Sequence, residues 1–450
     1  MIAIIVLGNK LYQGDDKTLF MPGQMTNGHY QIELACDACH TDKFGGGEVL
    51  QKSCIKCHGD DRVKPHDSHP KEKFTDPRNA DRLEKINAVE CITCHKEHKP
   101  EITKNNGLTQ PLDICSHCHQ DIAKERPSHT GMPFTSCKDS GCHNYHNNRA
   151  LYTDFLIKHL DEADNLEKQT LPQREFLSVL DEVIEYPRER YPVQILNSSQ
   201  ADAPASINED DQLHQDWLTT AHARSGVNCS ACHVVNTNEK NSKPEWTDHP
   251  GDKSCAQCHN LEVSRFKKGK HGMRLQVGLP PMSTSQAKLP MNTENGHRSL
   301  TCNSCHAAHS YDTKKAAVEG CLECHNDNHS KTYKTSSHYF LWVKETTELL
   351  PAGSGVSCAS CHMPRVNFDM NEWSSRIMVD HNQSANLSPN SKMIRSSCIK
   401  CHGLEFTLNA LADKQLIDNN FYTSPAVKLK TMEMAESERK RAIEETAGIE

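Results

Sequence analysis

The sequence predicts a mainly α chain with much irregular loop and very little β, wrapped around an interior that its own apolar side chains do not supply. Three observations carry that expectation. Of 450 residues only 36% are hydrophobic and 6% aromatic, and the mean hydropathy is -0.72, so burial barely offsets chain entropy. The chain nevertheless holds 22 cysteines and 28 histidines, and a chain poor in apolar residues can fold when disulfides, metals or cofactors fill its interior. Where apolar residues recur, they do so at helical spacing. Leu151, Phe155, Leu156 and Leu160 mark one helix in ALYTDFLIKHLDEADNLEKQ, REFLSVLDEVIEY a second, DDQLHQDWLTTAHARS a third and the charged KTMEMAESERKRAIEE a fourth.

Every cysteine belongs to one pattern. C-x-x-C-H occurs as motif 1 (Cys36, Cys39, His40), motif 2 (Cys54, Cys57, His58), motif 3 (Cys91, Cys94, His95) and motif 4 (Cys115, Cys118, His119). Motif 5 is a longer C-x4-C-H (Cys137, Cys142, His143), with Gly141 permitting a bulged loop. C-x-x-C-H returns as motif 6 (Cys229, Cys232, His233), motif 7 (Cys255, Cys258, His259), motif 8 (Cys302, Cys305, His306), motif 9 (Cys321, Cys324, His325), motif 10 (Cys358, Cys361, His362) and motif 11 (Cys398, Cys401, His402). Eleven motifs consume all 22 cysteines.

Two thiols at this spacing reach the two vinyl groups on one porphyrin edge, and the adjoining histidine falls beneath the iron as its axial ligand. The pattern therefore implies eleven covalently attached haems c. A disulfide framework would not need a histidine after each second cysteine. A zinc array would bring ligands in fours with the histidine at varying positions. A thioredoxin-like C-x-x-C occurs once per domain.

Beyond the eleven proximal histidines, 17 remain, enough to give each iron a second imidazole. His29 and His222 precede their motifs by the same seven residues, while His249 and His297 sit six and five before theirs. His98, His146 and His309 each follow a proximal histidine by three, too close to reach the far face of the same ring, so they are expected to serve a neighbouring haem. His69, His129, His271, His329, His338 and His381 complete the candidate distal ligands. His66, His117 and His214 read as surface histidines, and His159 is left unassigned. A haem with two histidines cannot bind substrate at iron, so this arrangement points to electron transfer.

The motifs divide the chain. Residues 1–28 form an N-terminal segment, 29–150 a five-haem domain, 151–212 a helical and loop linker, 213–402 a six-haem domain, and 403–450 a haem-free helical tail. The apolar run Ile2–Leu7 reads as the remnant of a signal or membrane anchor, and thioether-bound haem implies a periplasmic or other extracytoplasmic location. The formal charge of -8 argues against nucleic acid. Expected partners are other redox proteins, quinol-side or terminal donors and acceptors, and further copies of this chain in an oligomer or filament.

The N-terminal run CDACH, CIKCH, CITCHKEH, CSHCH resembles the compact multihaem cytochromes related to tetrahaem periplasmic cytochromes. GVSCASCHMPR, then VDHNQ, then CIKCHG resembles the last two haem sites of the pentahaem nitrite reductase and octahaem hydroxylamine oxidoreductase superfamily, to which octahaem tetrathionate reductases are similar in logic. That resemblance implies that Cys358, Cys361 and His362 hold the penultimate haem and that His381 is a distal ligand of another. The catalytic C-x-x-C-K of the nitrite reductases is absent, which leaves Lys158 and Lys270 as the candidates for a lysine on an active haem. Two functions follow: an electron carrier, favoured by the surplus histidines, and a reductase or oxidase of a small nitrogen or sulfur compound at one open haem.

Overall fold

The computed structural model describes residues 18–42, 45–63, 69, 71–137, 145–147, 151–167, 185, 187, 189–190, 194–205, 211–235, 245–387 and 389–447. Short helices joined by irregular loops dominate it, as the sequence predicts. Two small antiparallel hairpins are its described sheets: β1 (Val234–Val235) with β2 (Glu245–Trp246), and β3 (Arg365–Asn371) with β4 (Ser374–Val379).

The motifs nucleate much of the local structure. Cys36–Cys39, Cys91–Cys94, Cys229–His233, Cys302–His306 and Cys358–His362 are each a single helical turn. Some of their starts are capped by side chains just upstream: Asn228 accepts from Cys229 N, and Ser357 exchanges hydrogen bonds with Ser360. Helices this short are not stable alone, so their persistence depends on what they hold. The helix Gly47–Val63 carries motif 2 within its length.

One cluster of buried apolar side chains is built by the protein itself. It joins Leu151, Phe155 and Leu156 of the Thr153–Lys158 region to Ile394, to Leu404 and Leu408 of the helix Leu404–Ala412, and to Met432 and Ala435 of the helix Thr431–Ala447. Two expected helices are modified. The one beginning near Leu151 ends at Lys158, because Asp164, Asn165 and Leu166 run beside motif 11 instead, with Leu166 N donating to Cys401 O at 2.8 Å. DDQLHQDWLTTAHARS breaks into Asp211–Leu218 and Ala221–Arg224, because Thr220 caps the second piece by accepting from Ala223 N. The REFLSVLDEVIEY stretch lies outside the described residues, except Glu185.

Candidate haem-binding sites

The histidines of the motifs meet other histidines in pairs. In the first half His58 faces His29 at 5.8 Å between ring centres, His119 faces His69 at 6.1 Å and His95 faces His146 at 6.3 Å. In the second half His259 faces His222 at 6.1 Å, His233 faces His309 at 5.9 Å, His325 faces His271 at 6.1 Å and His306 faces His381 at 6.2 Å. His362 faces His329 at 5.9 Å, and His402 faces His338 at 6.2 Å.

The separations hold within half an ångström while the angle between ring planes runs from 2° to 85°. Ring packing couples distance to angle, and several of these histidines also stack on an aromatic ring at shorter range: 4.1 Å for His69 on Tyr145, 4.8 Å for His233 on Trp246 and 4.7 Å for His402 on Phe406. A fixed distance with free rotation is what two ligands on a shared axis give. Imidazole nitrogens about 2 Å from one metal on opposite sides place their ring centres roughly 6 Å apart. Among the described residues no three or more His, Cys, Asp and Glu side chains converge as a metal cluster, so the histidines come in twos, as a metal held also by a porphyrin requires.

In several of these histidines the second ring nitrogen is tied in place. Nδ1 of His95, His233 and His402 donates to the carbonyl oxygens of Gly107 (3.1 Å), Thr247 (2.7 Å) and Asp164 (3.0 Å). Nδ1 of His69, His329 and His381 donates to Tyr145 O (2.6 Å), Ile417 O (2.5 Å) and Val379 O (3.1 Å), and that of His29 lies 2.7 Å from Glu97 Oε1. A carbonyl oxygen only accepts, so Nδ1 carries the proton and Nε2 keeps the lone pair a metal needs. In His329 that lone pair takes a hydrogen bond from Asn420 Nδ2 at 3.3 Å. Burial, followed by the facing imidazole, pushes His271 and His362 down to about 4, and the same causes lower His222 and His306. These rings stay neutral at ordinary pH.

Local caps deliver several of the second histidines. Thr220, Asp327 and Ser336 are N-caps placed two residues before His222, His329 and His338. Ser336, fully buried, accepts from Tyr339 N at 3.2 Å and donates to Tyr333 O at 2.7 Å. Ser336→Ala is expected to cost about 1–2 kcal/mol, the value of a lost cap, read as a lower midpoint in chemical denaturation. His309 adopts a left-handed backbone (φ 67), strain that turns its ring toward motif 6.

The remaining candidates face no described motif histidine. His98, also left-handed (φ 58), donates Nδ1–H to Gly23 O at 2.9 Å and meets no proximal imidazole among the described residues. His249 and His297 are exposed and likewise meet none. The Nδ1 of His129 bonds Ser128 Oγ at 3.1 Å. Cys142, His143, Gly141 and His66 lie outside the described residues. His117 is exposed with Nδ1 on its own Ile114 O. His159, unassigned from sequence, bonds Glu162 at 2.5 Å and packs against Phe155. Lys158 is exposed. Lys270 Nζ donates to Asn27 O and Gly28 O at 3.2 and 2.7 Å, which turns it toward backbone carbonyls.

No disulfide joins any described cysteine, and consecutive motifs touch. Ser53 Oγ of motif 2's helix donates to Cys39 O at 2.8 Å. The thiols of Cys54 and Cys91, Cys115 and Cys137, Cys255 and Cys302, and Cys321 and Cys358 lie within hydrogen-bonding reach. Cys94 is felt by Cys115, Cys232 feels Cys255, and Cys398 feels Cys361. A side chain on Gly320 would come within 3.1 Å of Cys305 O, so glycine there lets motifs 8 and 9 close up. The attachment points thus form two rows, motifs 1–5 and motifs 6–11, each in chain order.

A porphyrin attached at such a motif supplies an iron that accepts and releases one electron. The residues present fit that group: paired thiols one turn apart, a histidine beside them and an opposing histidine across the gap. No curated protein and no solved structure matches the chain. A family model described as Cytochrome c3 matches residues 28–120, the stretch that holds motifs 1–4, and this match supports a multihaem c-type cytochrome that binds haem covalently and transfers electrons.

Proposed function

We propose that the chain carries eleven haems c, most of them bound between two histidines, and conducts electrons outside the cytoplasm. The observation that carries this reading is the set of nine histidine pairs, each joining a motif histidine to one remote in sequence at a common distance and at no common angle. Both axial positions are then filled, which closes the iron to substrates and leaves electron exchange as the chemistry. Close contact of consecutive motifs supports rapid hopping along each row. No helix among the described residues is long and apolar enough to cross a membrane. The extracytoplasmic assignment rests on the thioether chemistry.

The test is a haem count by intact mass together with electron paramagnetic resonance of the oxidised protein. Eleven haems and low-spin signals support the carrier; a mass lacking thioether-bound haem ends it. In His271→Ala the haem of motif 9 loses its second imidazole, so one haem in eleven is expected to turn high-spin.

A second reading has one observation in its favour. His40 is exposed and faces no second imidazole among the described residues. An open haem at motif 1 would be the place for reduction or oxidation of a small nitrogen or sulfur compound. A native high-spin signal that responds to nitrite or cyanide, and disappears when Cys36 and Cys39 are replaced by alanine, would favour it.

A further inference from the structure

The two rows meet at one set of contacts that adjoins haem ligands on both sides. Lys270 Nζ donates to Gly28 O at 2.7 Å and to Asn27 O at 3.2 Å. Gly28 immediately precedes His29, which faces the motif 2 histidine, and Lys270 immediately precedes His271, which faces the motif 9 histidine. A single hydrogen bond therefore couples the residues next to two distal ligands in different rows. Arg274 Nη1 donates to Gln31 O at 2.8 Å, and Lys288 Nζ donates to Asn27 Oδ1 at 2.7 Å while lying 4.4 Å from the centre of the Tyr30 ring. Glu97, which holds His29 and Thr26, is close enough for its charge to act on Lys270.

The other meeting of the rows is of a different kind. The helix Thr431–Ala447 touches both the Pro127–His129 turn and the Thr153–Lys158 helix, and the apolar cluster fills the space on its inner side. A helix stands at that meeting, and a helix is about 10 Å across. Ahead of motif 6, residues 194–205 fold back on motif 6 itself, with Leu196 N on Ala223 O at 3.0 Å and Ser230 N on Asp202 Oδ1 at 2.9 Å.

We infer that the two rows are joined crosswise, between motif 2 and motif 9 through His29 and His271, and that Lys270 positions this junction. The inference rests on the reading that these motifs hold haem. The step across the junction moves one electron: one iron passes from ferrous to ferric as the other passes from ferric to ferrous, and no bond or proton moves. A crosswise join turns two rows into a branched conductor with four free ends, at motifs 1, 5, 6 and 11. Redox partners at different ends can then exchange electrons without passing through the full length of either row.

A cryo-electron microscopy map of the haem-loaded full chain tests the geometry. The expected result is that, of all pairs taking one haem from each row, those of motifs 2 and 9 have the shortest edge-to-edge separation. A map in which motifs 5 and 6, or any other such pair, lie closer overturns the junction. Peptide mass mapping of the same sample separates the two failures: motif 2 or motif 9 peptides that carry no haem overturn the functional reading and the junction with it. For Lys270, electron redistribution after a sub-stoichiometric reducing pulse is compared in the parent, Lys270→Arg and Lys270→Met. Lys270→Met is expected to lose the fast phase that Lys270→Arg keeps, at equal haem count and equal melting temperature. A fast phase retained in Lys270→Met overturns the positioning role.

Discussion

Chain produced without haem attachment is expected to be unfolded from residue 18 to residue 147 and to keep order only around the apolar cluster of the second half. In the first half the buried hydrophobic side chains among the described residues are Met25 and Phe74. Ordering each backbone residue costs roughly 1–2 kcal/mol, and two side chains cannot offset that over a domain. The helix Gly47–Val63 makes the point locally: it is rich in charge, contains Gly47 and Gly59, and leaves Ile55 exposed. By contrast Leu151, Phe155, Leu156, Ile394, Leu404, Leu408 and Met432 pack directly on one another. Hydrogen exchange on haem-free chain should show no protection over residues 47–63 and 91–94 and measurable protection over 404–412 and 431–447. Protected amides in 47–63 without haem would show that the polypeptide supplies its own core there.

The parts of this architecture legible in sequence are those fixed by covalent chemistry. Motif spacing names 22 cysteines and eleven histidines because a porphyrin edge and its iron admit little variation. It also anticipates short helices, since a chain with so few apolar residues has no reason to build long ones. What sequence reasoning misses is pairing. His98, His146 and His309 share the same position relative to a motif, yet the structure turns His146 to motif 3, His309 to motif 6 and His98 toward Gly23. Nothing local distinguishes them; the partner is set by how the chain returns over residues distant in sequence. His249 and His297 lie upstream of their motifs at nearly the spacing of His29 and His222, six and five residues against seven, but end at the surface. A sharper local signal was present. A side-chain cap two residues before a histidine, as in Thr220-x-His222, Asp327-x-His329 and Ser336-x-His338, places that histidine in the first turn of a helix, where its ring projects beyond the helix end. The β3–β4 hairpin between motif 10 and His381 is the clearest departure from a mainly helical reading. Its signal is the Asn371–Ser374 turn, where Asn371 Oδ1 accepts from Trp373 N and Ser374 N at 2.9 Å each.

Breaking the ion pair between Arg265 and Asp380 is expected to destabilise the second half by about 3–5 kcal/mol, the cost of leaving one partner of a buried pair without the other. The pair is bidentate, with Nε on Oδ1 at 2.8 Å and Nη2 on Oδ2 at 2.7 Å, and the two side chains are 8% and 10% exposed. Arg265 also lies 5.6 Å from the centre of the Phe368 ring. The consequence reaches the site because of where the partners stand. Arg265 belongs to the helix Asn260–Lys268, which starts directly after the motif 7 histidine, and Asp380 directly precedes His381, which faces the motif 8 histidine. Asp380 Oδ1 accepts in addition from Asn382 N at 3.0 Å, so the carboxylate shapes the turn that presents His381. Asp380→Ala removes both functions and strands a buried guanidinium. It should lower the denaturation midpoint and convert the motif 8 haem, one of eleven, toward high spin. Arg265→Met strands the carboxylate instead but leaves the turn intact, so it should destabilise without the spin change. Loss of stability in Asp380→Ala with every haem still low-spin would mean that the pair supports the fold alone and that His381 is held by Val379 O and its own packing.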